Sequence, residues 1–311
     1  MADSGSFDLA VNVGGLEMAN PVTVGSGTYG LGMEMSRIAE VNSLGAVVMK
    51  SLTVEPRGGN PAPRVAETPS GMLNAIGLEN PGIDAFLKSH LEQVLRVVKV
   101  PLVANIAGHR QEEYVELARR LSGIAGIAGL EMNVSCPNVG AGGLAFGVDP
   151  GKLEGLVAAV RSETELPLWV KLSPNVTDVV AVARAAISGG ADALTLINTL
   201  LGMEVDLASR KPVLANVTGG LSGPAIRPVA LRMVRQVYAE TGATIVGLGG
   251  ITSADDALKF ILAGATAVSV GTMNFVDPDR SARLPGEIAR RASSLGARSV
   301  TELVGTLDTS G

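Results

Sequence analysis

Eight short β-type runs recur along the chain, at PVTVG (21 to 25), AVVMK (46 to 50), PLVANI (101 to 106), AGLEMNV (128 to 134), LPLWVKL (166 to 172), DALTLIN (192 to 198), ATIVGLG (243 to 249) and TAVSVG (266 to 271). Between most of them the apolar positions change to a helical period. Tyr114, Leu117, Ala118 and Leu121 form one i, i+3, i+4, i+7 stripe; Leu153, Leu156, Val157 and Val160 form a second, and Val179, Val182, Ala183 and Ala186 a third. Start signals agree with this placement. Asp149 followed by Pro150 predicts an N-cap and a first-turn proline, and Ser253 with Asp256 predicts a capping box. Eight strand–helix repeats in a chain of 311 residues predict an α/β fold, a (β/α)8 TIM barrel rather than a doubly wound sheet. Residues 1–311 read as one domain. FDLAVNVGGLEM (7 to 18) predicts an N-terminal hairpin across the barrel bottom. Two insertions, 51 to 81 after the second strand and 199 to 223 after the sixth, are long enough to be active-site loops.

Composition narrows the class. Apolar residues make up 46% of the chain and the formal net charge is −5, with no block of like charges. That balance argues against a nucleic-acid or anionic-membrane partner and fits a protein that handles a small molecule. A single cysteine allows no internal disulfide, and two histidines make a zinc site hard to assemble, so no metal is expected and the compartment reads as reducing cytosol. The first residues lack the basic start and apolar stretch of a secretion signal. The longest uncharged runs, 132 to 148 and 260 to 276, reach 17 residues but are broken by Gly, Asn, Thr or Pro, so a soluble protein is expected. One Trp, three Tyr and five Phe stand against 39 Gly. Many of those glycines directly follow apolar runs, where a backbone can approach a ligand closely.

In such a barrel the active site lies at the C-terminal ends of the strands. The predicted strands end in Ser26, Lys50, Asn105, Asn133, Lys171, Asn198, Gly249 with Gly250, and Gly271 with Thr272. Any one of these alone is explained as a turn residue or a solvated strand end; eight together are not. GLGGITSADDA (247 to 257) and SVGTMNF (269 to 275), after the seventh and eighth strands, suit a phosphate held by backbone N–H groups and a helix N-terminus. The phosphate could belong to a substrate or to flavin mononucleotide. Lys50 and Lys171 favour the flavin, because a cation near the N1/O2 edge stabilises the anionic reduced ring. A Schiff-base lysine is the rival reading. GSGTYG (25 to 30) matches G-x-G-x-x-G after a strand, but a dinucleotide site wants an acidic residue at the end of the next strand, which here ends in Lys50. That match is rejected. Asn74, Asn105, Asn133 and Asn198 each carry a donor and an acceptor and suit a ring with amide-like edges, although each taken singly can cap a turn. His90, in a helical pattern, and His109, in a turn, receive no role. Cys136 in NVSCPN (133 to 138) is either a small buried hydrophobe or a working thiol.

Four stretches, NVSCPNVGAGGLAFGVDP (133 to 150), NAIGLENPG (74 to 82), LINTLLGM (196 to 203) and KPVLANVTGGLSGPAIRP (211 to 228), resemble dihydroorotate dehydrogenase over nearly the whole chain. The cysteine in SCPN resembles class 1, and GGLAFG its B type. The resemblance implies that Ser26, Lys50, Ser51, Asn105, Asn133, Lys171, Ile197, Gly223, Gly249, Gly250, Gly271 and Thr272 contact FMN. It implies substrate contacts from Lys50, Asn74, Ala75, Ile76, Gly77, Leu78, Asn133, Asn198 and Thr199, with Cys136 as the base. Gly140, Gly142 and Gly143 would give the loop after Cys136 freedom to open and close. It further implies a second subunit carrying FAD and a [2Fe–2S] cluster that passes electrons to NAD, in a heterotetramer built on a dimer of this chain. Glu204 departs from the pattern, where a small residue is expected. The A type, which uses fumarate, and a Schiff-base lyase using Lys171 are the alternatives.

Overall fold

The computed structural model describes residues 7–134 and 146–310. Eight parallel strands, Val22–Val24, Val47–Val48, Leu102–Ile106, Ile127–Asn133, Leu168–Lys171, Ala193–Leu196, Ile245–Leu248 and Ala267–Val270, form one sheet in the spatial order first, eighth, seventh, sixth, fifth, fourth, third, second. Each coincides with one of the eight apolar runs. The first and second strands approach each other at the remaining seam, where the Gly45 N–H donates to the Val22 carbonyl at 2.8 Å. The result is a nearly closed (β/α)8 barrel. Val, Leu, Ile and Ala side chains from strands and helices share one continuous buried core from Val11 to Val300.

The helices bury the stripes that the sequence predicts. Gln111–Ser122 buries Tyr114, Leu117, Ala118 and Leu121, and Pro150–Arg161 buries Leu153, Leu156, Val157 and Val160. Val179–Ser188 adds Ala185 to its expected set. The Asp149 side chain caps its helix by accepting from the Lys152 N–H at 3.2 Å. Ser253 likewise accepts from the Asp256 N–H at 3.2 Å. The other half of that capping box is missing, because the Asp256 carboxylate turns instead to Thr252 and Arg227. His90 ends a π-helical turn, Phe86–His90, and His109 meets the Arg57 guanidinium. No helix among the described residues is long and apolar enough to cross a membrane.

Two features complete the frame. Val11–Val13 and Leu16–Met18 pair antiparallel around Gly14 and Gly15, both at positive φ (58° and 90°), as a two-residue hairpin turn requires. This hairpin closes the bottom: the Trp169 indole N–H, fully buried inside the barrel, donates to the Val13 carbonyl at 3.1 Å. At the other end, the two insertions are not independent loops. Val65–Thr68 and Gly71–Asn74 from the first join Leu200–Gly202 and Gly219–Ser222 from the second in one antiparallel four-stranded sheet. Leu73, Ala75 and Leu214 form its small separate core.

Candidate active site

Strand register decides which side chains meet at the top of the barrel. Asn133, Lys171 and Thr195 lie opposite one another on the fourth, fifth and sixth strands. Lys171 is two residues beyond Trp169, so it points to the same face one layer higher. Its ammonium donates to the Ser26 hydroxyl at 3.3 Å, reaching the end of the first strand. The Asn133 amide donates to the Ser51 hydroxyl at 3.4 Å and accepts from the Asn198 amide at 3.2 Å. The Tyr114 hydroxyl fixes the Asn133 backbone by donating to its carbonyl at 2.9 Å, with its ring edge-on to Phe146. A side chain added at Gly27 would meet the Lys50 Nζ at 3.3 Å, which places this second ammonium beside the Ser26 turn. The strand-end residues Ser26, Lys50, Asn133, Lys171 and Asn198 therefore converge, and Ser51, which the family resemblance added, joins them.

One buried charge was not anticipated. Glu131 is 2% exposed on the fourth strand, on the same face as Asn133. Its carboxylate accepts from the Asn105 amide at 2.6 Å and from the Thr195 hydroxyl at 2.7 Å. The signal was present in AGLEMNV, an acidic side chain inside a run that is otherwise apolar up to Asn133. Burial pushes the Lys171 ammonium below its ordinary pKa, and the negative charge of Glu131 pushes it partly back. Because a carboxylate can only accept, Asn105 presents its NH2 to Glu131 and turns its Oδ1 away. That Oδ1 is buried and has no hydrogen-bond partner among the described residues.

The ends of the seventh and eighth strands form a backbone cradle. Gly223, Gly249 and Gly250 all hold positive φ (94°, 138° and 74°). A Cβ on Gly250 would lie 2.6 Å from the Gly223 carbonyl oxygen, so the two turns abut. Ile197 packs behind, 3.6 Å from where a Cβ on Gly249 would sit. The Thr272 hydroxyl, next to Gly271, donates to Ser222 at 2.8 Å and ties the eighth strand end to the arm sheet. Arg227 and Asp256, 2.7 Å apart, brace the helix Ala254–Ala263 against the helix that follows Gly223. Burial raises the Asp256 carboxyl pKa, but hydrogen bonds from Thr252 and the charge of Arg227 outweigh it and hold the group below the ordinary carboxylate value. A glycine-lined turn opening a ten-residue helix is a ready anion site. Cradle, buried lysine and unpartnered Asn105 oxygen together fit FMN, which carries a phosphate, a ring that gains negative charge on reduction, and both ribityl and imide donors.

The expected substrate loop, Asn74, Ala75, Ile76, Gly77 and Leu78, leaves the arm sheet and is held by residues the sequence did not single out. Asn60 donates to the Ala75 carbonyl at 2.9 Å. Asn80 donates to the Leu78 carbonyl at 2.8 Å and accepts from the Thr53 and Gly82 N–H groups at 3.2 and 2.9 Å. Leu78 sits at φ 58°, a left-handed conformation that non-glycine residues keep only where neighbours impose it. The Asn74 amide reaches the Gly220 carbonyl at 3.4 Å. Across the mouth, Asn175 donates to the Thr199 carbonyl at 3.0 Å and accepts from the Leu201 N–H at 2.9 Å. Glu204 folds onto its own hairpin, accepting from the Val205 N–H at 2.9 Å, and does not join the strand-end cluster. Cys136, with Gly140, Gly142 and Gly143, lies outside the described residues. Among the described residues no group of three or more His, Cys, Asp or Glu could hold a metal ion.

The dihydroorotate dehydrogenase family model matches residues 8–291. A Pelobacter propionicus protein named dihydroorotate dehydrogenase B (NAD(+)), catalytic subunit, is 54% identical over 301 residues, covering 97% of this chain and 99% of its own. Proteins of the same name from Geotalea daltonii and Listeria innocua are 53% and 50% identical over 300 and 295 residues, covering 96% and 95% of this chain and 98% and 97% of their own.

Proposed function

The chain belongs to the dihydroorotate dehydrogenase family, an oxidoreductase family acting on dihydroorotate in pyrimidine biosynthesis, and we propose that residues 1–311 act as one FMN-binding barrel domain in which Cys136 is the base. The reaction is the flavin-dependent oxidation of dihydroorotate to orotate, and the NAD(+)-linked type is favoured over the fumarate-linked one by the relatives. The observation that carries the FMN reading is the pairing of a glycine cradle at the seventh and eighth strand ends with a buried lysine two strands away. When bound, FMN supplies the hydride acceptor for C6 of dihydroorotate.

The chain supplies the rest. Cys136, as thiolate, would remove the C5 proton of the substrate and become a thiol. Asn74, Ala75, Ile76, Gly77, Leu78, Asn133, Asn198 and Thr199 orient the pyrimidine ring by pairing its amide-like edges, with Lys50 opposing its carboxylate. Asn60, Asn80 and Asn175 hold those contacts in place, so that less ordering is left to be done on binding. Ser26, Lys50, Ser51, Asn105, Asn133 and Lys171 hold the flavin ring and ribityl chain. Ile197 backs the cofactor, while Gly223, Gly249, Gly250, Gly271 and Thr272 hold the phosphate. Lys171 stabilises the negative charge that reduction brings, which is a redox duty and not that of a Schiff-base nucleophile.

The electrons then leave through a second subunit. The relatives are named catalytic subunits of an NAD(+) enzyme, and this chain, with one cysteine, cannot ligate an iron–sulfur cluster alone. GSGTYG is followed only by a three-residue 3-10 turn, Met35–Arg37, so it offers no helix N-terminus to a pyrophosphate. From the resemblance to the B type, FAD and a [2Fe–2S] cluster are assigned to the partner, in a heterotetramer of two chains of each kind. Phe275 and Val276, 58% and 73% exposed just beyond Thr272, are apolar surface next to the cradle for such a partner. The assembly works in the cytoplasm, where a lone thiol stays reduced. The purified single chain should be reduced by dihydroorotate and reoxidised by artificial dyes, yet reduce NAD slowly or not at all. Rapid NAD reduction with no second polypeptide present would sink the two-subunit reading.

A further inference from the structure

Glu131 is a carboxylate sealed inside the barrel that the reaction described above does not use. It lies below the layer of Asn133 and Lys171, between the third and sixth strands, and both its oxygens accept from side chains that line the same interior. We propose that Glu131 is a positioning residue for the flavin: it orients the Asn105 amide so that Oδ1 is offered to the cofactor, and it supplies the counter-charge for Lys171. The inference rests on FMN being the occupant of this site.

Hydrogen bonding supports the first half, and shared burial in the barrel interior supports the second. Asn105 is 0% exposed, and its NH2 can only face the carboxylate, 2.6 Å away. A buried acceptor left without a donor is costly, so a ligand donor at Oδ1 recovers a penalty already present in the fold. Glu131 and Lys171 are 2% and 5% exposed. Two opposite charges so placed are screened little by salt, and removing one leaves the other buried and uncompensated.

The sign of the effect follows. Lys171 aids the flavin in its charged form, which exists below its pKa. Burial lowers that pKa and Glu131 raises it again, so neutralising Glu131 should bring the loss of charge to lower pH. Glu131→Gln keeps the shape, since its amide can still accept from Asn105 and donate to Thr195. In the FMN-loaded enzyme, the alkaline limit of flavin retention should move to lower pH. The same substitution in a Lys171→Met background should leave that limit where Lys171→Met alone puts it. Thr195→Val, which removes a hydrogen bond but keeps the carboxylate, should not move it.

An unshifted limit in Glu131→Gln, or an equal shift in Thr195→Val, would overturn the proposal. Should Glu131→Gln fail to fold, Glu131→Asp, which keeps the negative charge, should retain the wild-type alkaline limit, and a lowered limit there would count against the counter-charge. A wild-type chain that binds no FMN would defeat the reading of the site itself before any variant is made.

Discussion

Cys136→Ala is expected to retain its flavin and to lose turnover by about 10²- to 10⁴-fold, the range a general base contributes. The FMN contacts proposed here come from strand ends and glycine turns, none of which the substitution touches. Flavin content should therefore match wild type while the rate of flavin reduction by dihydroorotate falls. The base must be a thiolate, and an unperturbed thiol has a pKa of about 8.5. Wild-type flavin reduction should speed up as pH rises across the neutral range, and the residual rate of the variant should not. Near-normal reduction in Cys136→Ala would return this cysteine to the role of a small buried hydrophobe.

Gly250→Ala should have the opposite signature, an intact base with an empty cofactor site. At φ 74° the residue is left-handed, and a Cβ there meets the Gly223 carbonyl oxygen at 2.6 Å and the Arg227 Cβ and Pro224 Cα at 3.0 Å. The left-handed conformation alone costs an alanine about 1–2 kcal/mol. The crowding atoms are mostly backbone, so relief requires the turns of the cradle to separate. Losing two charge-assisted hydrogen bonds to a phosphate, at about 1.5 kcal/mol each, would weaken FMN binding by about 100-fold. Equilibrium dialysis against FMN reads the affinity, and a thermal melt confirms that the chain is folded. Unchanged affinity in a folded variant would remove Gly250 from the phosphate site.

The barrel was legible because parallel strands covered by helices bury both faces, and so read as compact apolar runs. Their ends were legible for the same reason: in AVVMK or LPLWVKL the first polar residue after the run marks the top of the barrel. The arm sheet was not legible. Its strands are half exposed, so Val65–Thr68 carries no apolar run, and Asn74 finds its partner Gly220 across 146 residues of chain. No local pattern announces that pairing. The second half of the Ser253 capping box failed because Arg227, distant in sequence, competes for the Asp256 carboxylate.

Among the proposed site residues, polarity at strand ends pointed to Ser26, Lys50, Asn105, Asn133, Lys171 and Asn198, and glycine placement pointed to Gly249, Gly250 and Gly271. Gly223, Ile197 and the loop from Ala75 to Leu78 came from family resemblance, since a glycine or an isoleucine in a loop has no chemistry of its own to read. Asn60, Asn80 and Asn175 were missed because they act on backbone groups that only the folded loops bring near. Glu131 was missed although strand alternation places it on the face of Asn133. A buried carboxylate reads as an interruption until its donors, Asn105 and Thr195, are seen around it.

The most direct test is the visible absorption spectrum of the purified chain before and after dihydroorotate is added without oxygen. The expected protein is yellow with one FMN per chain, and the substrate bleaches the oxidised-flavin band as orotate forms in equal amount. A colourless protein that takes up no FMN, or a yellow one that dihydroorotate leaves unchanged, would contradict a flavin-dependent dihydroorotate dehydrogenase.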